Sequence, residues 1–239
     1  MMRTQGAFRV GPVRAAARFL GTAAGDGSGG DIISVVETPF GLRILVGDVM
    51  GHGLRPARMA ADVLDAFRDL ARHPGSLKRL AMSLNGVVAA QGHRGEFVTA
   101  LLVAFPCDVP CSGPVSGEMI SCGHPPPLLL RGARATFVDA LTPSPPLGLL
   151  DLSECEAASG SLLLDPGDMV LLYTDGVTDA RDASGNPYQL AERACAVSAA
   201  AGTAGLSAVL TGIQTDVFRF SGGRLRDDAA MLMLEVDRD

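Results

Sequence analysis

LRILVGDVMGHG, residues 42–53, joins an apolar run to an aspartate and then to a turn containing two glycines. After the Phe40-Gly41 turn, LRILVGDV has the pattern of a strand. Asp48 stands near its end, where a carboxylate costs desolvation unless it is paired or bound to a cation. Glycines beside it let the backbone come close to an ion or let a carbonyl point at one. Beyond the turn the period changes to that of a helix. Pro56 falls in its first turn, Met59, Val63, Phe67 and Leu70 share one face, and Pro74-Gly75 ends it.

Upstream, VRAAARFL (13–20) and DIISVVET (31–38) read as strands separated by a glycine-rich turn. Downstream, Ser76 can cap a second helix with Leu77, Leu80, Ala81, Leu84 and Val88 at helical spacing. FVTALLVAF (97–105) is too apolar for a one-sided strand and reads as central in a sheet. Residues 106–158 are rich in Pro and Gly, with short strands only, one ending at SCGH and one after PPP. DMVLLYTDGV (168–177) reads as a buried strand running into a turn, followed by helices over about 187–200 and 206–220. The second carries Leu206, Leu210, Ile213, Val217 and Phe220 in register, and AAMLMLEV closes the chain as a strand. Strands thus enclose two helix pairs. The economical burial is an α/β αββα sandwich: two mainly antiparallel sheets face to face, with a helix pair on each outer side. One domain spanning 1–239, with its core at about 10–236, is expected from the length.

Composition removes several function classes. With 26 acidic against 20 basic residues and a net charge of −6, the chain has no basic field for a nucleic-acid backbone. No apolar run reaches the ~18–20 residues that span a bilayer, and the first nine residues lack a signal-peptide pattern. Five cysteines (107, 111, 122, 155 and 195) are an odd number for a paired framework, so a reducing cytoplasm is expected. Lys78 is the single lysine against 19 arginines, which nearly removes Schiff-base chemistry. No cysteine is followed six positions later by arginine, and GxSxG and GxxxxGK[ST] are absent. The GxGxxG match at Gly25–Gly30 leads into a β-like run, not a helix, which counts against dinucleotide binding. Cys107-x-x-x-Cys111 has no second pair to complete a zinc site.

What remains is a set of aspartates at strand ends. Asp31 opens a strand after Gly29-Gly30, Asp48 ends one, Asp175 ends another before Gly176, and Asp227-Asp228 open the last. Each alone fits a turn or cap. Together they suggest a hard-cation site of carboxylates, a carbonyl and waters, suited to Mg²⁺ or Mn²⁺.

The ordered set GGD (29–31), GDVMGHG (47–53), FVTALLVAF (97–105), SCGHPPPLLLRG (121–132), PLGL (146–149), PGDMVLLYTDGVTDA (166–180) and DDAAMLML (227–234) resembles the metal-dependent PPM-type serine/threonine phosphatases. Within them it is similar to the bacterial SpoIIE/RsbU branch, from about Val10 to Val236. The resemblance implies two Mn²⁺ or Mg²⁺ ions and hydrolysis of phosphoserine or phosphothreonine by a metal-bridging water, without a phosphoenzyme. By position it implies Asp48 as the carboxylate bridging both ions and the Val49 carbonyl as a ligand of one. Asp31 would ligate or hold bound waters, Asp175 and Asp227 would complete the second site, and Asp228 would ligate or support. Two cations would acidify the water, align it and neutralise the phosphoryl oxygens.

His52 and His124 are candidates for protonating the leaving oxygen; the alternative is that His52 orders the glycine turn and His124 anchors the turn before Pro125. Thr99 is expected to brace the sheet. Two positions depart from the family: Ala230 stands where Thr is usual, and Asp179 where Glu is commoner. Relatives often carry sensor or membrane segments upstream, so the chain fits a stand-alone or an excised catalytic unit. The implied partner is a phosphorylated protein, a small anti-sigma-factor antagonist, docking on 106–118, 139–160 or the helix from Leu54 to Arg72. A homodimer stays open. The competing reading is a catalytically inactive member acting as a regulatory module, against which the retained Asp31, Asp48, Asp175 and Asp227 count.

Overall fold

Alternate residues of two long strands face different cores, and this alternation generates the layers. The computed structural model describes residues 7–20, 29–51, 53–73, 75–91, 96–107, 113–139, 144–150 and 158–237. In the last strand, Ala229–Val236, residues 230, 232, 234 and 236 point into one cluster, while 229, 231 and 233 point into another. All eight are buried, which explains why the run is apolar without a break.

The six-stranded sheet has the order β1-β2-β11-β10-β7-β8, formed by Ala7–Val10, Val13–Leu20, Ala229–Val236, Met169–Tyr173, Leu128–Arg131 and Arg134–Phe137. The five-stranded sheet has the order β3-β4-β5-β6-β9: Asp31–Thr38, Gly41–Val49, Val98–Phe105, Val115–Cys122 and Gly160–Leu164. All pairings of these strands are antiparallel. The sheets stack through Ile44, Val46, Leu101 and Val103 on one side and Ala15, Val170, Leu232 and Leu234 on the other.

Helices α1 (Leu54–Leu70) and α2 (Leu77–Gln91) cover the five-stranded sheet. The α1 stripe of Met59, Val63 and Phe67 packs on Ile32, Leu45 and Leu102; truncating the fully buried Phe67 to Ala would cost about 3–5 kcal/mol. Arg43, buried on β4, donates to the Gly75 carbonyl at 2.7 Å and ties the α1–α2 connection to the sheet. On the opposite face, α4 (Leu190–Ala201) and α5 (Leu206–Phe220) cover the six-stranded sheet through Leu190, Ala194, Leu210, Ile213 and Val217. The αββα layering expected from the sequence is therefore observed.

β2 and β3 are neighbours in sequence but belong to different sheets, because β2 pairs with β11 and β3 with β4. Three local readings are corrected. The strand expected over 168–177 ends at Tyr173, and a one-turn helix α3, Asp175–Thr178, replaces the expected turn. The helix expected from 187 starts at Leu190, and Asp227-Asp228 lie just before β11 instead of opening it. Three short strands, β1, β8 and β9, had no separate sequence reading. Among the described residues, no helix is long and apolar enough to cross a membrane.

Candidate functional site

The β3–β4 hairpin sets Asp31 directly opposite Asp48, so its register alone places two carboxylates side by side. Apolar residues on both sheet faces keep the pair largely out of water. Burial, then the charge of Asp48, raises the Asp31 pKa well above the carboxylate range; Asp228 and Asp175 add to this, and the Thr174 hydroxyl opposes it. Burial, then Asp175 and Asp227, pushes Asp48 up to about 7, against hydrogen bonds from the Val49 backbone and with Asp31.

The six-stranded sheet brings the other acids to the same place. Asp175 is the first residue of α3, just beyond β10, and Asp227-Asp228 precede β11, the neighbour of β10. Burial, then Asp179 and Asp227, raises the Asp175 pKa. Glycines permit the approach. A Cβ on Gly30 would lie 2.5 Å from the Val49 carbonyl oxygen and 2.7 Å from Asp48 Oδ1, and one on Gly29 would collide with the Asp228 carboxylate. A Cβ on Gly176 would strike the Asp228 carbonyl, so α3 could not close against the segment before β11.

Asp31, Asp48, Val49, Asp175, Asp227 and Asp228 are thus brought together from both sheets. His52 lies outside the described residues. None of the ion pairs among the described residues involves Asp31, Asp48, Asp175 or Asp227. Among those residues, no group of three or more His, Cys, Asp or Glu side chains stands ready to cage an ion. The donors are all hard oxygens with excess negative charge, and the glycine hollow keeps the Val49 carbonyl beside Asp48 Oδ1. That combination fits divalent cations completed by water better than it fits a closed protein cage.

Two side chains not expected to touch the acids tie the sheets together here. His124 Nε2–H donates to the Tyr173 carbonyl at 3.0 Å, so Nδ1 is left to accept from the Thr99 hydroxyl at 3.2 Å. Thr99 sits opposite Asp48 in the β4–β5 ladder, and its Oγ1 is also 3.4 Å from the Asp48 carbonyl. Burial pulls the His124 pKa down to about 4, against the hydrogen bond to Tyr173. His124 is therefore a neutral brace, in keeping with the anchoring alternative. Thr174, which the sequence reading missed, is fully buried and donates to Asp31 Oδ2 at 2.9 Å. The only local signal for it is its place between an apolar strand and Asp175.

Cys122 is buried in the core under α1 and α2, with its thiol pushed up to about 12, and Cys107 is exposed. Cys111 and Cys155 lie outside the described residues, as does most of the Gly25–Gly30 match.

Comparison with known proteins gives a consistent answer. The family model described as Stage II sporulation protein E (SpoIIE) matches residues 38–237. The phosphoserine phosphatase RsbU of Bacillus subtilis (strain 168) is 25% identical over 159 residues, 65% of this chain and 44% of RsbU. Among solved structures, the RsbU and RsbW domains of Rv1364c from Mycobacterium tuberculosis superpose with a TM-score of 0.79 at 24% identity, over 98% of this chain and 63% of that one. The PP2C phosphatase domain of SpoIIE from Bacillus subtilis, with a fragment of its regulatory domain, gives 0.77 at 18% identity, over 96% and 64%. The chain thus spans less than two thirds of the length of these relatives, and the structural matches carry the fold. With the family model covering most of the sequence, the chain belongs to the SpoIIE family.

Proposed function

We propose that this protein is a metal-dependent phosphatase that hydrolyses phosphoserine or phosphothreonine on a protein. The observation that carries this reading is the cluster of carboxylates from two sheets, at least two of them raised by burial and by one another, with Asp31, Asp48, Asp175 and Asp227 lacking a cationic partner among the described residues. Such a cluster is costly unless cations neutralise it. The name of RsbU supports a phosphoserine substrate, and family membership supports the same chemistry.

In this reading Asp48, Asp31 and the Val49 carbonyl would hold one Mn²⁺ or Mg²⁺ ion, and Asp48, Asp175, Asp227 and Asp228 would hold the other. When bound, the ions supply an acidified water and neutralise charge on the phosphoryl oxygens. The chain's part is to hold these oxygens apart from competing cations and in fixed orientation, through the β3–β4 register and the glycine contacts. No nucleophilic side chain is needed in this reading.

The physiological substrate we infer, from the resemblance to the SpoIIE/RsbU branch, is a small phosphorylated anti-sigma-factor antagonist. Docking beside the site suits the start of α1, where Leu54 is 87% exposed and Arg55, Arg58, Met59, Asp62, Gln91 and Glu96 line a groove of about 500 Å³. Turnover of p-nitrophenyl phosphate and of a folded phosphoserine protein, with Mn²⁺, Mg²⁺ or EDTA, tests the reading. Activity with metal and none in EDTA is expected; activity indifferent to the chelator contradicts it. Docking predicts a higher kcat/KM on the folded phosphoprotein than on its excised phosphopeptide, and equal values remove it.

A further inference from the structure

Thr174 has an oxygen with one proton to give, and its neighbours decide where that proton goes. The residue is fully buried where β10 ends. The Ala230 amide donates to Thr174 Oγ1 at 2.9 Å, while the Thr174 amide donates to the Ala230 carbonyl at 3.0 Å. With one lone pair held by Ala230, the hydroxyl proton is directed to Asp31 Oδ2, 2.9 Å away. The two partners are 143 residues apart: Asp31 opens β3 of one sheet, and Thr174 follows β10 of the other. Ala230 offers only a methyl here, so the hydroxyl at this crossing is that of Thr174.

We propose that Thr174 is a positioning residue that sets the Asp31 carboxylate for the cation cluster. The hydroxyl engages Oδ2 and leaves Oδ1 outside this bond. Because Asp175 follows immediately in the chain, the same bond couples the end of β10 to the β3–β4 hairpin. One buried hydroxyl thereby aligns carboxylates carried by both sheets. This inference rests on the metal-dependent reading above.

Calorimetric titration of Mn²⁺ into the metal-free full chain tests it without relying on turnover. Thr174→Val keeps the shape and removes the hydroxyl; it should weaken Mn²⁺ binding by about ten- to a hundredfold, whereas Thr174→Ser should stay within about threefold of wild type. In an Asp31→Asn background the Val substitution should cost less than about twofold more, because its effect runs through Asp31. A purely structural role would lower the melting temperature and leave this coupling at zero. Wild-type affinity in Thr174→Val, or an undiminished loss in the Asp31→Asn background, overturns the proposal. Absence of Mn²⁺ binding by the wild type overturns the metal reading, and the proposal with it. Thr174→Val orphans the Ala230 amide, so an NMR measurement on the wild type covers a variant that does not fold. The Thr174 hydroxyl proton should exchange slowly and shift on saturation with Mg²⁺, and a resonance indifferent to Mg²⁺ contradicts the proposal.

Discussion

The five-stranded sheet holds Asp31 and Asp48 within ladder strands, opposite each other in one hairpin, whereas the six-stranded sheet presents Asp175, Asp227 and Asp228 just outside β10 and β11. Asp31 is buried, while Asp175 and Asp227 are exposed. The β3–β4 backbone register holds the strand-borne pair face to face. The outer three sit on a one-turn helix and on the segment before β11, outside the ladders. One half of the cluster is set rigidly by the ladder register, and the other half lies beyond the strand ends.

That contrast predicts an order of effects. Asp48→Asn removes the carboxylate facing acids from both sheets and should reduce turnover by about 10³-fold, the scale of losing a major electrostatic contact to the reacting group. Its metal-free melting temperature should not fall, because a repulsive charge is gone. Asp175→Asn should lose activity to a smaller extent; a larger loss there than at Asp48 would reverse the assignment of the rigid half. Unchanged turnover in either variant would remove the cluster from the chemistry.

The next effect concerns pH in the absence of metal. Asp48 has its folded pKa raised from 3.8 to about 7, so the native state holds more protons than the unfolded state between those values. Stability of the metal-free protein should therefore fall as pH rises through this window, and Mn²⁺ should stabilise more at pH 8 than at pH 5. Urea midpoints with and without Mn²⁺ check this; a metal effect independent of pH would show that the pair is not strained.

His124 has the opposite sign. Its folded pKa is depressed from 6.5 to about 4, so its contribution is present above pH 6.5 and lost as pH falls toward 4. At full expression that is about 3 kcal/mol. Denaturation of wild type and His124→Gln at pH 7 and pH 4.5 should show the wild type losing its advantage in acid. A constant difference would mean that His124 does not brace the sheets as a neutral ring. The smallest expected effect is none at all: alkylation of exposed thiols such as Cys107 should leave turnover unchanged, and inactivation tracking one cysteine would contradict a site built from oxygens.

Legibility in the sequence followed the physics of each element. β4, β5 and β11 are apolar on both faces because each is sandwiched between a helix layer and the other sheet, and that pattern is local. The α1 stripe from Met59 to Phe67 is equally local. β8 carries only exposed or half-buried residues, so nothing periodic marks it. Whether β2 pairs with β3 or with β11 depends on partners more than 200 residues away and leaves no mark in VRAAARFL. The acids were legible because Asp beside Gly at strand ends is a short pattern, whereas Thr174 was not, since its role exists only once Asp31 and Ala230 are brought to it. Gly29-Gly30 was visible as a motif, but its reason, room for the Asp228 carboxylate and the Val49 carbonyl, is purely tertiary.

The central claim is that carboxylates from two sheets jointly hold divalent cations. Anomalous diffraction from crystals grown with Mn²⁺ tests it most directly. The account predicts peaks in contact with Asp48, one sharing Asp31 and the Val49 carbonyl, the other sharing Asp175 and Asp227. A cleft without anomalous signal at saturating Mn²⁺, or Mn²⁺ bound only away from Asp48, would contradict it.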